Sequence, residues 1–143
     1  MSILIALNLH SQEQGIVKKA CQLAKAFSMK IWLLHVAQPE PEFVGYGTGP
    51  QSVRDSVAKR FHEEHLALQA LASEIRSDGF DCSALLIQGE TVPSILKEAE
   101  KLSVEMIIVG SHHKGIVQKL IFGHTFDGIL QRASIPVLVV PIS

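Results

Sequence analysis

The residue types best suited to chemistry are concentrated near the carboxyl end of the chain, in a segment rich in glycine, serine and histidine. It opens with Gly110-Ser111-His112-His113-Lys114-Gly115 and closes with Gly123-His124-Thr125. Glycine lets a backbone turn sharply and approach a ligand closely, and a helix beginning near Thr125 presents unpaired amides and a positive dipole end. Lys114 and Lys119 add positive charge. These residues favour a site for a phosphate-bearing ligand; the alternative is that the glycines only form tight turns.

A metal site is the second chemistry that this region suggests. His112, His113 and His124 surround one loop, and His10 follows the first apolar run. Zinc needs three or four ligands converging at about 2.0–2.1 Å, and no carboxylate or cysteine lies beside these histidines in the sequence. We therefore predict no metal site. Because imidazoles gain positive charge at lower pH, the same histidines predict that anion affinity rises as pH falls.

Three further histidines receive structural interpretations. His62 and His65 are three positions apart, whereas the zinc-protease pattern HExxH places its histidines four apart. We predict that these two lie on a solvated helix face. His35 lies inside an apolar run and is predicted to be a hydrogen-bonded core or edge histidine.

No catalytic constellation is visible. A serine nucleophile needs a positioned base and a third group that orients the base, and the adjacency of Ser111 and His112 does not supply that geometry. The sequence has no GxxxxGK[ST], and no GxGxxG follows the first strand, which argues against a P-loop ATPase and an NAD-type dehydrogenase. We expect a binding or regulatory protein rather than an enzyme, with slow hydrolysis of a phosphoester as the weaker alternative.

Composition limits the class of protein. The 143 residues are 47% hydrophobic and 19% charged, with a formal net charge of −1, a globular balance that predicts a single domain over residues 1–143 and no nucleic-acid partner. No apolar run approaches the roughly 20 residues of a membrane span, and no leader pattern is visible. Cys21 and Cys82 are predicted to be reduced, buried thiols. We expect a cytoplasmic protein without a membrane partner.

Short apolar runs alternate with amphipathic segments. The runs predict five strands, over residues 2–8, 29–37, 80–88, 106–109 and 135–140, with Gly110 ending the fourth. The segments predict helices over residues 12–27, 51–77, 94–102 and 125–132. The second helix has an apolar stripe that includes Phe61 and Leu68, and Asp78-Gly79 ends it. Residues 39–50, rich in glycine and proline, predict a long loop, either mobile or covering a site.

Buried strands joined by helices predict a three-layer α/β sandwich, in which helices cover both faces of a five-stranded parallel sheet. Ligands of such sheets bind outside the carboxyl ends of the strands, where strand order reverses. The predicted carboxyl ends are Asn8, Val36, Gln88 and Gly110. The glycine-rich segment therefore begins where a ligand is expected.

The chain resembles the universal stress protein family along essentially its whole length. The resemblance rests on Ile3-Leu4-Ile5-Ala6-Leu7, Leu33-Leu34-His35-Val36, residues 89–95, residues 105–112 and residues 133–140. It implies a Rossmann-like fold of the adenine nucleotide alpha hydrolase type and a stress-response role. One branch of the family binds ATP and another does not. The resemblance to the binding branch implies an adenine nucleotide (ATP, ADP or AMP) as ligand, with or without Mg²⁺.

Members that bind ATP carry glycine, two residues, glycine, nine residues, glycine, and then serine or threonine. Gly110 and Gly123 keep the outer spacing, but His113 stands at the second glycine and His124 at the hydroxyl residue, which Thr125 follows. Histidine costs roughly 1 kcal/mol or more where the backbone needs a positive φ. These departures predict weaker nucleotide binding, or an interaction module of the same fold that binds none.

Two family positions lie outside the glycine motif. The aspartate that ends the first strand aligns with Asn8, which keeps a hydrogen-bonding side chain but no charge. The position whose backbone meets adenine aligns with Val36. The predicted ligand-binding residues are Asn8, Val36, Gly110, Ser111, His113, Gly115, Gly123, His124 and Thr125.

The last strand, Ile135-Pro136-Val137-Leu138-Val139-Val140, is apolar and would invite pairing with another chain if it formed an edge of the sheet. Pro136 and Pro141 limit its usable length. The family resemblance implies a homodimer joined through this strand, and we predict that assembly; the alternative is that the prolines keep the chain monomeric.

Overall fold

Strands and helices alternate along the described part of the chain, residues 1–9, 13–37, 51–112 and 127–142 of a computed structural model. The elements are β1 (Ser2–Ala6), α1 (Gln14–Phe27), β2 (Lys30–Ala37), α2 (Gln51–Ser77), β3 (Cys82–Gln88), α3 (Thr91–Lys101), β4 (Met106–His112) and β5 (Val137–Ile142). Residues 127–132 form a further helical segment between β4 and β5. The predicted alternation of strands and helices is confirmed.

All five strands form one parallel sheet in the order β3-β2-β1-β4-β5. The chain builds outward from β1 to β3 and then returns to place β4 on the other side of β1. Strand order therefore reverses between β1 and β4, and the carboxyl ends of these two strands are the expected ligand position. β5 forms one edge of the sheet.

Both faces of the sheet are covered because its strands are almost continuously apolar. On one face, Ile3 and Ile5 pack in a cluster with α1 and the carboxyl-terminal half of α2. On the other face, Leu4 and Ile107 pack in a cluster with α3 and the helical segment 127–132. Successive residues of β1 thus serve opposite faces, and the predicted three-layer sandwich is confirmed.

Helix α2 is longer than the sheet beneath it. Its 27 residues span about 40 Å at 1.5 Å per residue, whereas the 8 residues of β2 span about 26 Å. Leu68, Ala72 and Ile75 are accordingly buried, while Phe61 is 37% exposed, so the prediction of an apolar stripe is wrong at Phe61. No helix in the described ranges, α2 included, is long and apolar enough to cross a membrane.

The structure confirms one predicted helix end and moves several strand limits. Gly79 has φ +97° and ends α2 as predicted. β4 continues through Gly110 to His112, so the prediction that Gly110 ends this strand is wrong. β5 runs through Pro141, which an edge strand tolerates. α3 begins at Thr91 with Pro93 in its first turn, where a missing N–H costs no helical hydrogen bond.

Candidate functional site

Two predicted site residues meet where β1 and β2 end. These strands are in register through Ala6 and Leu34. Continuing that register by two residues brings Asn8 beside Val36. Because neighbouring strands lie about 4.8 Å apart, residues 8 and 36 lie side by side at the carboxyl edge of the sheet.

Two more predicted residues join them from β4. The pairing of Ile5 with Ile108, continued along both strands, places Gly110 beside Leu7 and Ser111 beside Asn8. The structure therefore gathers the predicted residues of three adjacent strands at the reversal of strand order. Asn8 is exposed and Ser111 is half-buried, so both side chains are accessible from solvent.

The end of β1 is fixed by backbone hydrogen bonds and one sharp turn. The Leu7 N–H donates to the Leu34 carbonyl at 2.8 Å. The Asn8 N–H donates to Oε2 of Glu13, just before α1, at 2.8 Å. Leu9 then adopts φ 63°, a left-handed conformation that costs a non-glycine residue roughly 1–2 kcal/mol. Backbone strain of this kind is often found at functional sites, and here it turns the chain away from the sheet directly after Asn8.

His35 supports this end of β1 from beneath. It is 8% exposed, its Nδ1 lies 2.8 Å from the Leu7 carbonyl oxygen, and its Nε2 lies 3.0 Å from Oε2 of Glu64. The prediction of a hydrogen-bonded core histidine is confirmed. Its link to the candidate site went unpredicted, because the partners are 28 and 29 residues away in sequence and no local pattern marks them.

Neither Val36 nor Gly110 offers a side chain to a ligand at this edge. Val36 is 9% exposed as a whole residue and its side chain packs in the cluster on the α3 face, so a ligand contact at this position would involve the backbone rather than the side chain. A Cβ on Gly110 would lie 2.6 Å from Cδ1 of Ile16 and would also overlap Ile142. The packing of α1 and β5 therefore favours glycine at position 110, whether or not a ligand is bound, because a methyl group there would force the ends of two isoleucine side chains to move.

The remainder of the predicted site lies outside the described residues. This applies to the long loop over residues 39–50 and to the following predicted site residues: His113, Gly115, Gly123, His124 and Thr125. His10, Lys114 and Lys119 also lie outside them. The described geometry therefore concerns the nucleoside end of the predicted site more than its phosphate end.

The described residues contain no cluster of histidine, cysteine or acidic side chains that could hold a metal ion. Cys21 and Cys82 are free thiols, the first only half-buried and the second buried. Burial raises the pKa of the Cys82 thiol to about 11. Burial, and then the charge of Asp78, also raises the pKa of Cys21. Both thiols stay protonated at neutral pH and are poor nucleophiles.

Comparison with known proteins assigns this chain to a family. A family model described as "Universal stress protein family" matches residues 1–141. The "universal stress protein in QAH/OAS sulfhydrylase 3′ region" of Thermus aquaticus is 26% identical over 133 residues, 92% of this chain and 90% of that protein.

Solved structures share the fold. A universal stress protein from Archaeoglobus fulgidus in complex with dAMP has a TM-score of 0.70 and 18% identity, over 100% of this chain and 98% of that one. A universal stress protein family protein from Arabidopsis thaliana with AMP bound has a TM-score of 0.70 and 17% identity, over 100% and 93%. At these identities the likeness establishes the Rossmann-like fold alone.

Proposed function

This chain belongs to the universal stress protein family, and from that premise we propose that it binds an adenine nucleotide at the carboxyl edge of β1, β2 and β4. The observation that carries the proposal is the convergence of Asn8, Val36, Gly110 and Ser111 where strand order reverses. Open parallel sheets bind ligands at that place. Proteins of this fold have been solved with dAMP and with AMP, which supports adenine as the base.

Each described residue has a distinct role in the proposed site. The Asn8 amide, which both donates and accepts, hydrogen-bonds the ribose hydroxyls. The backbone of Val36 meets the adenine edge. The phosphates lie beyond Gly110 and Ser111, over the segment that continues to Thr125. Because His113 and His124 stand where the ATP-binding pattern has a glycine and a hydroxyl residue, we expect weaker binding than in a member with the full glycine motif.

The proposed activity is binding and regulation. A nucleotide held in the cytoplasm during a stress response would alter the surface that partner molecules meet, and turnover is not required for that role. The sequence shows no catalytic constellation, and we expect the bound nucleotide to be released intact.

One observation favours a second function, an interaction module that has lost the nucleotide. The glycine at position 110 is accounted for by Ile16 and Ile142 alone, so its presence does not require a phosphate. The substitutions His113, His124 and Asn8 relative to the ATP-binding pattern point the same way. In that case the carboxyl edge would contact a protein partner.

Calorimetry separates the two functions. Purified protein is titrated with ATP, ADP and AMP, with and without Mg²⁺, and with GMP as the base control. Binding of at least one adenylate, with no heat from GMP, supports the nucleotide site. If none of the three adenylates gives a heat of binding, the interaction module remains as the proposed function. Phosphate release measured in the same samples tests the hydrolase alternative, and slow turnover alone would be compatible with the binding role.

We also propose a homodimer through β5. This strand forms an edge of the sheet, and Val137, Leu138, Val139 and Val140 along it are half-buried within one chain. Pairing with a second copy would cover this exposed edge. Sedimentation of the wild type should give a dimer and Val139→Asp a monomer; a monomeric wild type would end this proposal.

A further inference from the structure

His35 is buried beside the candidate site, and nothing in the proposed contacts with nucleotide uses it. It is one of two polar residues among the described buried ones. Its ring bridges two elements: Nδ1 reaches the Leu7 carbonyl at the end of β1, at 2.8 Å, and Nε2 reaches Glu64 of α2, at 3.0 Å. The imidazole thus connects the residue before Asn8 with the middle of the long helix.

The two partners of this ring fix the number of protons it must share. A carbonyl oxygen only accepts, so Nδ1 must donate and carries a proton. A carboxylate oxygen also only accepts, so a hydrogen bond between Nε2 and Glu64 needs a second proton between those atoms. The arrangement is satisfied by an imidazolium facing a carboxylate, or by a neutral ring facing a carboxylic acid. Either way it holds one proton more than a neutral histidine and an ionised glutamate.

Charged and apolar groups on neighbouring elements surround this pair. On α2, Arg60 Nε lies 3.9 Å from Oε1 of Glu64, so the two carboxylate oxygens face a guanidinium and the imidazole. Before α1, the Glu13 carboxylate accepts the Asn8 N–H. On β3, the residue paired with His35 is the apolar Leu86. The shared proton therefore lies between a buried ring and one partly buried carboxylate, whose side chain is 26% exposed.

We propose that His35 is a positioning residue of the nucleotide site: the proton it shares with Glu64 holds the carboxyl end of β1 in place, so that loss of this proton loosens Leu7 and Asn8 and weakens nucleotide binding. Both contacts of the ring are satisfied only while the proton is present. Without it, a neutral ring has one N–H for two acceptors, so either the Leu7 carbonyl or the Glu64 carboxylate loses its donor and faces a ring lone pair. This inference rests on the proposed nucleotide site for its effect on affinity, but not for the proton or the position of β1.

One conservative substitution removes the need for the proton without removing the contact. In Glu64→Gln, the side-chain amide donates to Nε2 of a neutral ring, and Nδ1–H still donates to Leu7. Glu63→Gln is the matched control, because it makes the same chemical and charge change one residue away, on a side chain that is 63% exposed and faces Lys59. The loop histidines are retained in both variants, so their own pH response cancels in the comparison.

Nuclear magnetic resonance tests the proton directly. The protonation of both His35 ring nitrogens and of the Glu64 carboxyl, and the amide signals of Leu7 and Asn8, are followed over a range of pH. In the wild type and Glu63→Gln we expect a proton between Nε2 and Glu64 at the acidic end, and Leu7 and Asn8 signals that move as it is lost. In Glu64→Gln these signals should be independent of that titration. A wild type in which Nε2 and the Glu64 carboxyl both lack a proton throughout, or identical Leu7 and Asn8 profiles in all three proteins, would overturn the proposal.

Affinity for AMP, measured over the same pH range, tests the consequence for binding. We expect the affinity of wild type and Glu63→Gln to fall roughly three- to tenfold further than that of Glu64→Gln as pH rises, a size that corresponds to part of one charge-assisted hydrogen bond. Equal pH profiles in the three proteins would contradict the positioning role. If no protein binds any adenylate, the proposed function fails, and the amide and ring signals still decide whether the shared proton positions β1.

Discussion

The interior of the sheet and its carboxyl edge are held by different forces. In the interior, Ile108 and its neighbours are fully buried and gain their stability from many apolar contacts, none of them directional. At the edge, the Leu7 carbonyl accepts a hydrogen bond from the His35 ring, and the backbone N–H of Asn8 donates one to the Glu13 carboxylate. A single hydrogen bond can be removed without unfolding a core. The edge can therefore respond to a ligand or a proton while the interior stays unchanged.

The largest expected effect comes from emptying the interior. Ile108→Ala removes a side chain with 0% exposure and should lower the free energy of unfolding by about 2–5 kcal/mol. Urea denaturation measures it. Leu66→Ala, on a residue that is 54% exposed, is the control and should change it by no more than about 0.5 kcal/mol. Equal losses from the two variants would mean that the interior is not the stable region described here.

A chemical probe of the interior should give the next largest effect. Because burial raises the pKa of Cys82 to about 11 from 9.0, its thiolate population at neutral pH is roughly a hundredfold below that of an ordinary thiol. The half-buried Cys21 should react first with iodoacetamide, and Cys21→Ser leaves Cys82 alone to be timed by mass spectrometry. The folded chain holds the Cys82 proton more firmly than the unfolded chain does. The contribution of this proton to the free energy of unfolding is therefore complete below pH 9 and is lost as pH rises toward 11. Rapid modification of folded Cys82 at neutral pH would contradict this view of the interior.

The sequence predicts the elements whose structure is decided by burial. It does not predict contacts between residues far apart in sequence, or which part of a long helix extends beyond the sheet. The apolar runs around Leu4 and Ile108 predicted the buried strands, because a parallel sheet with two covered faces needs continuous apolar sequence. Phe61 has the spacing of a core residue, but whether the sheet extends beneath it depends on the lengths of both elements. The bridge from Leu7 through His35 to Glu64 joins segments whose meeting only the tertiary fold determines. No local pattern could have predicted it.

Two glycine-to-alanine substitutions test where the tightly packed interior ends and the edge begins. Gly110→Ala places a methyl group against Ile16 and Ile142 and should destabilise the fold by about 1–3 kcal/mol, the usual cost of overpacking. Gly15→Ala, in α1, has nothing within 4 Å of the new methyl group and should instead stabilise the helix by about 0.5–1 kcal/mol. Thermal and urea unfolding of both variants provide the measurement. A neutral Gly110→Ala would show that the two isoleucines yield easily, and the glycine would then need a ligand to explain it.

The smallest change in free energy is expected at the edge itself, from Asn8. In Asn8→Ala the proposed ribose contact is lost, and AMP affinity should fall about three- to tenfold, the value of one neutral hydrogen bond. The unfolding free energy should change little because the side chain is exposed.

Asn8→Asp restores the residue of the ATP-binding family pattern and should bind AMP more tightly than the wild type, since a carboxylate accepts from ribose hydroxyls more strongly than an amide does. In Asn8→Ala the backbone N–H of residue 8 should still donate to Glu13 and keep the turn at Leu9, whereas in Asn8→Asp the new carboxylate is repelled by the Glu13 carboxylate, and urea unfolding measures that cost. Calorimetry gives both affinities, and urea unfolding confirms that the interior is untouched. Affinities equal to wild type in both variants would remove Asn8 from the site, whereas a large loss of stability would mean that edge and interior are not separable at this residue.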